Sequence, residues 1–123
     1  MDLELFASEL HRRALKPRVY RKVIATKPDR TWALDLMDMQ WMDKDPQFLN
    51  LNDGFRWILV VVDIFTRYAW ALPQKDKTAA QTWTTFHGIL NHSGRRPKYI
   101  WCDQGGEFAG IFKRNCDKEG IAI

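Results

Sequence analysis

Two aspartates lie in local settings where a carboxylate is unusual. Asp35 interrupts the apolar run of residues 31–39, and Asp103 ends the apolar run of residues 99–102, just before a glycine turn. A charge buried in a strand is costly unless something compensates it, and a divalent metal ion with oxygen ligands does so. If the two runs are neighbouring strands, both carboxylates point at one ion. The pattern predicts metal-dependent phosphoryl transfer with Asp35 and Asp103 as metal ligands and catalytic residues.

Each aspartate also has a structural interpretation. Asp35 could bond to the backbone or to an arginine within its strand, as many carboxylates in folded proteins do. Asp103 could simply form the turn that precedes Gly105, a frequent role of aspartate. The residues alone leave both interpretations open.

Three strands that would position Asp35 are predicted in the first part of the chain. Residues 31–40 are rich in apolar and aromatic side chains and predict the first strand, in which Asp35 and Asp38 point to opposite faces. The near-continuous apolar run of residues 55–65 is typical of a central strand buried on both faces. Residues 68–72 predict a third strand. The polar residues 42–54 predict a loop.

The second part of the chain alternates helix and strand. Thr78 is a plausible N-cap for a helix that runs to about Leu90. The remaining predicted elements are a fourth strand at residues 98–102, a helix at 108–119 and the start of a fifth strand at 121–123. This order predicts an α/β fold, a mixed sheet covered by helices.

Residues 1–30 predict a basic arm. They hold eight basic and four acidic side chains and hence carry +4, whereas residues 31–123 hold eleven of each. A short helix is predicted at residues 3–15, followed by extended chain broken by Pro17 and Pro28. Such an arm suits contact with the phosphate backbone of DNA, although a solvated basic linker is the alternative. The candidate DNA-binding residues are Arg12, Arg13, Lys16, Arg18, Arg21 and Lys22, with Gln104 and Gly105 in the glycine turn.

Other residue types point away from several classes of protein. Cys102 and Cys116 have no spacing typical of a zinc site or a disulfide framework. No apolar stretch approaches the roughly 20 residues that a membrane helix needs, so no membrane partner is predicted. Most of the six tryptophans lie in strand or helix patterns and are expected in the core, and only Trp41 is a candidate for contact with DNA or a partner.

The chain resembles the catalytic core of retroviral-type integrases, DDE enzymes of the ribonuclease-H-like superfamily. Among these, it looks most similar to the integrases of Maverick/Polinton elements and related transposons and viruses. The resemblance runs from about Leu10 to the end of the chain and is carried by four motifs at residues 32–39, 57–73, 77–79 and 102–108. It implies a ribonuclease-H-like mixed five-stranded sheet with flanking helices, truncated at its C-terminus, in which the first and fourth strands are parallel neighbours.

The resemblance also implies a function. It implies 3′-end processing and strand transfer of element DNA into target DNA. The cofactor implied is Mg²⁺ or Mn²⁺, with Asp35 as the ligand that bridges two metal ions and Asp103 as the second ligand, which completes one of the two metal sites. Double-stranded DNA, both element ends and target, and further copies of the chain are the implied partners, in the nucleus or a viral factory. The implied division is an arm at residues 1–30 and a catalytic core at 31–123. Asp63 matches the family as a structural residue.

One ligand of the family pattern has no match. Its third acid is a glutamate on a helix after the fifth strand, whereas Ile123 is the last residue here. Glu107 and Glu119 are the only glutamates after Asp103, and neither is expected to substitute, because ligand geometry tolerates little displacement. An alternative is therefore a truncated or domesticated, inactive module for DNA binding or self-association. A ribonuclease-H-type nuclease is a third, weaker interpretation.

Overall fold

The computed structural model describes residues 3–4, 23–40 and 47–123. Its strands are β1 (Thr31–Asp38), β2 (Trp57–Asp63), β3 (Ala69–Gln74) and β4 (Tyr99–Trp101). Its helices are α1 (Phe48–Leu51), α2 (Ala79–Ser93) and α3 (Ile111–Lys118), with a 3₁₀ turn at Gly106–Phe108 before α3. Within the described ranges, no helix has both the length and the apolar content to cross a bilayer.

The four strands form one mixed sheet in the order β3-β2-β1-β4. The pairs β1–β2 and β2–β3 are antiparallel, and β1–β4 is parallel. The predicted α/β class is confirmed, as is the parallel pairing of the first and fourth strands. Of the predicted fifth strand, the structure shows a single parallel bridge between Ala122 and Tyr99, which is too short to count as a strand.

Two predicted elements differ from the structure. The polar segment predicted as a loop contains the one-turn helix α1. The last helix begins at Ile111, not at residue 108, because Gly106–Phe108 winds as a 3₁₀ turn and Gly110 follows with φ 53°. Glycine adopts such a positive φ at little cost, so it allows the chain to change direction before α3. The predicted helix at 3–15 lies almost wholly outside the described residues.

The core lies between one face of the sheet and the helices α2 and α3. The ring of Trp32 lies 4.6 Å from that of Trp70 and 6.3 Å from that of Phe86, and Phe86 in turn contacts Phe112 of α3. The hydroxyl of Thr78 accepts a hydrogen bond from the amide of Gln81, so the predicted N-cap of α2 is confirmed. The fully buried apolar side chains are Trp32, Leu59, Val61, Phe86, Phe112 and Cys116.

The opposite face of the sheet is open around Asp35. Side chains alternate along β1, so Trp32 and Leu34 enter the core while Ala33, Asp35 and Met37 point to this second face. Met37 is 41% exposed, and no helix among the described residues packs on this face beside Asp35. The predicted strand geometry of Asp35 is therefore confirmed.

A buried carboxylate at the end of β2 ties the chain before β1 to the rest of the fold. Asp63 has no exposed surface and accepts hydrogen bonds from the backbone amides of Asp29 at 3.0 Å and Phe65 at 2.9 Å. The guanidinium of Arg95 bonds both Asp63, at 2.7 Å, and Asp29, at 2.9 Å. Burial by itself raises the pKa of Asp63, but these amides and the charge of Arg95 outweigh it, and the pKa lies below its ordinary value.

Candidate active site

The pairing of β1 with β4 brings Asp35 and Asp103 to the same place. In the parallel register Thr31 pairs with Tyr99 and Ala33 with Trp101, so each partner lies 68 positions further along the chain. β4 ends at Trp101, so Asp103 lies two residues beyond the paired segment, as Asp35 lies two residues beyond Ala33 on β1. This common offset brings the two aspartates to the same end of the β1–β4 pair.

Both carboxylates line one open cavity of about 480 Å³. Val60 pairs with Asp35, and Val62 pairs with Ala33, so the two valines form an apolar floor next to the carboxylates. The other lining residues are Leu34, Trp101 and Cys102. The structure thus brings the two predicted site residues together, while their role as ligands stays a prediction.

Each carboxylate accepts a hydrogen bond from a backbone amide one or two residues further along the chain. The Oδ1 atom of Asp35 accepts a hydrogen bond from the amide of Leu36 at 2.9 Å, and that of Asp103 accepts one from the amide of Gly105 at 2.9 Å. In the described part of the chain nothing bonds the Oδ2 atoms. Two exposed carboxylates, each with an oxygen directed to solvent, are a ligand set that fits Mg²⁺ or Mn²⁺.

Asp38 is directed away from this site. Its carboxylate accepts hydrogen bonds from the guanidinium of Arg56 at 2.9 and 2.8 Å, and these bonds hold its pKa below the ordinary value. The predicted assignment of Asp38 as the off-face neighbour of Asp35 is confirmed. The strand period alone separates the two aspartates.

The fold that holds Asp35 and Asp103 is similar to that of solved structures. The chain overlays on the HTLV-2 integrase catalytic core domain in complex with magnesium with a TM-score of 0.64 and 20% identity, over 80% of this chain and 61% of that one. It overlays on a chain of the simian T-cell lymphotropic virus intasome in complex with PP2A regulatory subunit B56 gamma with a TM-score of 0.69 and 20% identity, over 90% and 36% of the two chains. The fold is that of a retroviral integrase catalytic core.

The sequence comparisons are consistent with the integrase-core fold. No protein-family profile matches the chain. It is 36% identical over 64 residues, half of its length, to the retrovirus-related Pol polyprotein from transposon RE1 of Arabidopsis thaliana. It is 32% identical over 72 residues to the corresponding polyprotein from transposon RE2 of the same plant. The chain spans only 4–5% of the length of these curated relatives.

The two glutamates that follow Asp103 in the sequence lie in other environments. Glu107 is buried, and the ammonium of Lys77 lies 4.0 Å from its Oε2 atom. None of the residues that the structure describes forms a hydrogen bond with that Oε2 atom. Glu119 forms an ion pair with Arg96. No group of three His, Cys, Asp or Glu side chains in the described ranges could hold a metal ion. Among the described residues, neither glutamate joins Asp35 and Asp103 in the lining of their cavity.

The carboxylate of the buried Glu107 lies close to Gly105. A Cβ atom built on Gly105 would lie 2.5 Å from the Oε2 atom of Glu107, whereas one on Gly106 meets nothing within 4 Å. The side chain of Glu107 is buried, so a shift of its carboxylate away from such a Cβ has to occur inside the packed fold. Gly105 in turn donates the amide that orients Asp103.

We expect Gly105→Ala to lower the free energy of unfolding by about 1–3 kcal/mol, the usual cost of forcing extra volume into a packed site. Gly106→Ala is the matched control. It should leave stability within about 1 kcal/mol of the original, on the stabilising side, because alanine restricts the unfolded chain. Urea unfolding of both variants measures the difference. Equal stabilities would show that Glu107 does not constrain Gly105.

Two neighbours of Asp103 show features that the sequence did not reveal. Burial, with the charges of Asp103 and Glu107, raises the pKa of Cys102 to about 11, so its thiol is neutral at pH 7. Trp101 was expected in the core, but its side chain is 58% exposed. Ile100 is buried, so alternation along β4 places Trp101 on the opposite, open face. The alternation can be read from the sequence, but the face that the helices cover cannot.

The structure places few of the predicted DNA-binding residues. Gln104 is exposed and Gly105 half-buried, both directly after Asp103. Trp41 lies outside the described residues, as do Arg12, Arg13, Lys16, Arg18, Arg21 and Lys22.

Proposed function

We propose that this chain is the catalytic core of a DNA integrase of a mobile element, which trims 3′ ends and joins them to target DNA. The observation that supports this most is that Asp35 and Asp103 line one cavity in an integrase-core fold. The relatives in transposon Pol polyproteins and in viral integrases support it further. The sequence motifs add Maverick/Polinton elements as a possible class of source.

Asp35 and Asp103 would hold Mg²⁺ or Mn²⁺ through their Oδ2 atoms. When bound, the metal neutralises charge on the phosphodiester and stabilises the attacking and leaving oxygens. The amides of Leu36 and Gly105 fix the two carboxylates in orientation, so little reorganisation is needed on binding. Val60 and Val62 line the same cavity with apolar groups, so the two carboxylates would supply its metal-binding oxygens.

The proposed partners follow from charge and from the relatives. Residues 1–30, as a basic arm, would contact phosphates of double-stranded element ends and target DNA, and residues 31–123 would form the core. The neighbouring integrase structures include an intasome and dimeric and trimeric core domains, which supports self-association of this chain as part of the proposal. A nucleus or a viral factory is the proposed site of action.

A titration with Mn²⁺ tests the step on which the rest depends. The paramagnetic signal of free Mn²⁺ reports how much ion the chain binds. We expect Asp35→Asn and Asp103→Asn each to weaken binding by about tenfold or more, because each removes one of few anionic ligands. Asp38→Asn, on the same strand but facing away, is the control and should bind as the original does. Equal affinity in all four proteins contradicts the proposal.

A second candidate is a module that binds DNA or associates with itself without cutting. It is favoured by the positions of the two downstream glutamates, since Glu107 is buried behind Gly105 and Glu119 is paired with Arg96. Such a module would bind DNA with the same affinity after Asp35→Asn. The integrase core would instead bind DNA ends more tightly with Mn²⁺ present than without it.

A further inference from the structure

Strand β4 presents a row of side chains on the open face beside the two aspartates. Ile100 points into the core, whereas Tyr99 and Trp101 point outward and are 37% and 58% exposed. Asp103 continues the row after the strand ends. Alternate residues of a strand are about 6.6 Å apart, so the aromatic rings and the carboxylate follow one another at regular intervals. Trp101 lies between Tyr99 and the candidate metal site.

The far end of this row carries positive charge. The guanidinium of Arg30 and the ammonium of Lys98 each lie 5.4 Å from the centre of the Tyr99 ring. Both are cation–π distances, which hold the cations near the ring. The row therefore runs from two cations through two aromatic rings to a pair of carboxylates suited to a metal ion.

The chemistry of the row selects one kind of occupant. An apolar protein surface on Trp101 would also cover Asp35 and Asp103, which line the same cavity, and would remove two carboxylates from water at high cost. A nucleic acid strand avoids this cost, because its bases stack on aromatic rings while its phosphates meet cations and bound metal. Stacking needs an unpaired base, since bases inside a duplex are already stacked.

The backbone beneath Trp101 is rigid. β4 pairs with β1 on one side, and Tyr99 bridges to Ala122 on the other. The buried side chain of Ile100 anchors the strand from below. The sheet therefore fixes the point from which the Trp101 side chain projects, so the backbone there needs no ordering when a base packs on the ring.

We propose that Trp101 is a stacking platform for an unpaired base at a DNA end, next to the phosphate that Asp35 and Asp103 hold through a metal ion. Tyr99, with Arg30 and Lys98, contacts the same DNA strand further along β4. This inference rests on the proposed function and adds a base-binding position to it. The ligand class is a single-stranded overhang on a DNA duplex.

The test compares overhangs that differ by one base. A fluorescent duplex with a short 3′ overhang is titrated with the full chain in the presence of Mn²⁺, and a series of overhangs carries one abasic sugar at successive positions. At one position the abasic strand should bind about ten- to a hundredfold more weakly, the range expected for the loss of one stacked base. Trp101→Ala should lose the same factor on the intact overhang and no further affinity on the abasic one.

Two variants control for folding and for general aromatic content. Trp101→Phe keeps a flat ring and should retain most of the affinity. Phe65→Ala removes another exposed aromatic side chain, at the end of β2 away from the cavity, and should bind as the original does. The inference is overturned if Trp101→Ala still discriminates the abasic strand, or if it changes self-association in sedimentation without changing DNA binding.

The two proposals fail in different ways. If the Asp35→Asn and Asp103→Asn variants bind Mn²⁺ normally, while Trp101→Ala loses the abasic discrimination, the metal-dependent function is wrong and the base-binding position stands. If metal binding depends on both aspartates, while Trp101→Ala keeps the full discrimination, the function stands and the platform is wrong.

Discussion

We expect strand transfer to fall by about 10³-fold or more, to background, when Asp35 and Asp103 are both replaced by asparagine. The reason is electrostatic, because metal ions contribute several kcal/mol of charge stabilisation to a phosphoryl-transfer transition state, and about 4 kcal/mol corresponds to 10³-fold in rate. Asparagine has nearly the same shape as aspartate but carries no charge. Each single variant should lose nearly as much as the double variant, because residues that hold one metal ion act as a unit.

The measurement uses the polypeptide encoded by the complete reading frame that contains this chain. A labelled DNA end is incubated with plasmid in Mg²⁺ or Mn²⁺, and the joined product is quantified on a gel. Asp38→Asn is the matched control, since it lies on the same strand and its carboxylate faces Arg56. Strand transfer that persists in the double variant, with thermal stability unchanged, contradicts the assignment of the site.

The arrangement around Asp35 could be predicted from the sequence because a strand has a period of two. That period separates Asp35 from Asp38, and the structure confirms that one is on the open face while the other pairs with Arg56. The proximity of Asp103 could not be derived in this way. It depends on a pairing register between residues 68 positions apart, and local patterns carry no information on which strands pair. Only the resemblance to integrase cores predicted that the first and fourth strands are neighbours, and hence that Asp103 lies near Asp35.

The features that the sequence did not reveal depend on packing. Trp101 was expected in the core because tryptophan is large and apolar, but its exposure depends on which face of the sheet the helices cover. Glu107 gave no sign that it would be buried, since glutamate is rarely buried, and its position reflects how the 3₁₀ turn packs beside α2. Both residues lie close to Asp103 in the sequence. The exposure and burial of the side chains around the candidate site could therefore be learned only from the structure.

The second large effect that we expect is on stability. Asp63→Asn should lower the free energy of unfolding by about 3–5 kcal/mol, the usual cost of breaking a buried pair by removing one partner. Its Oδ1 accepts from the amide of Phe65, and its Oδ2 accepts from the amide of Asp29 and from Arg95. Asparagine replaces one of these oxygens with an amide group, a donor that then faces donors in a buried space. Asp38→Asn is the matched control, because its pair with Arg56 is partly exposed and should contribute only about 0–1 kcal/mol.

The pH dependence of this difference identifies the charge as its cause. The pKa of Asp63 is lower in the folded chain than in the unfolded one, so its stabilising contribution is complete above the unfolded value of about 4. That contribution is lost as the pH falls below about 4 and through the folded pKa, because the native state must then take up a proton at Asp63.

Asparagine does not titrate, and the other carboxylates are shared by both proteins. The gap in unfolding free energy between the original chain and Asp63→Asn should therefore be constant from pH 5 to 8 and shrink at lower pH, as urea unfolding at a series of pH values would show. A gap that persists unchanged well below pH 4 would mean that shape and packing at this position stabilise the fold, and not the charge shared with Arg95.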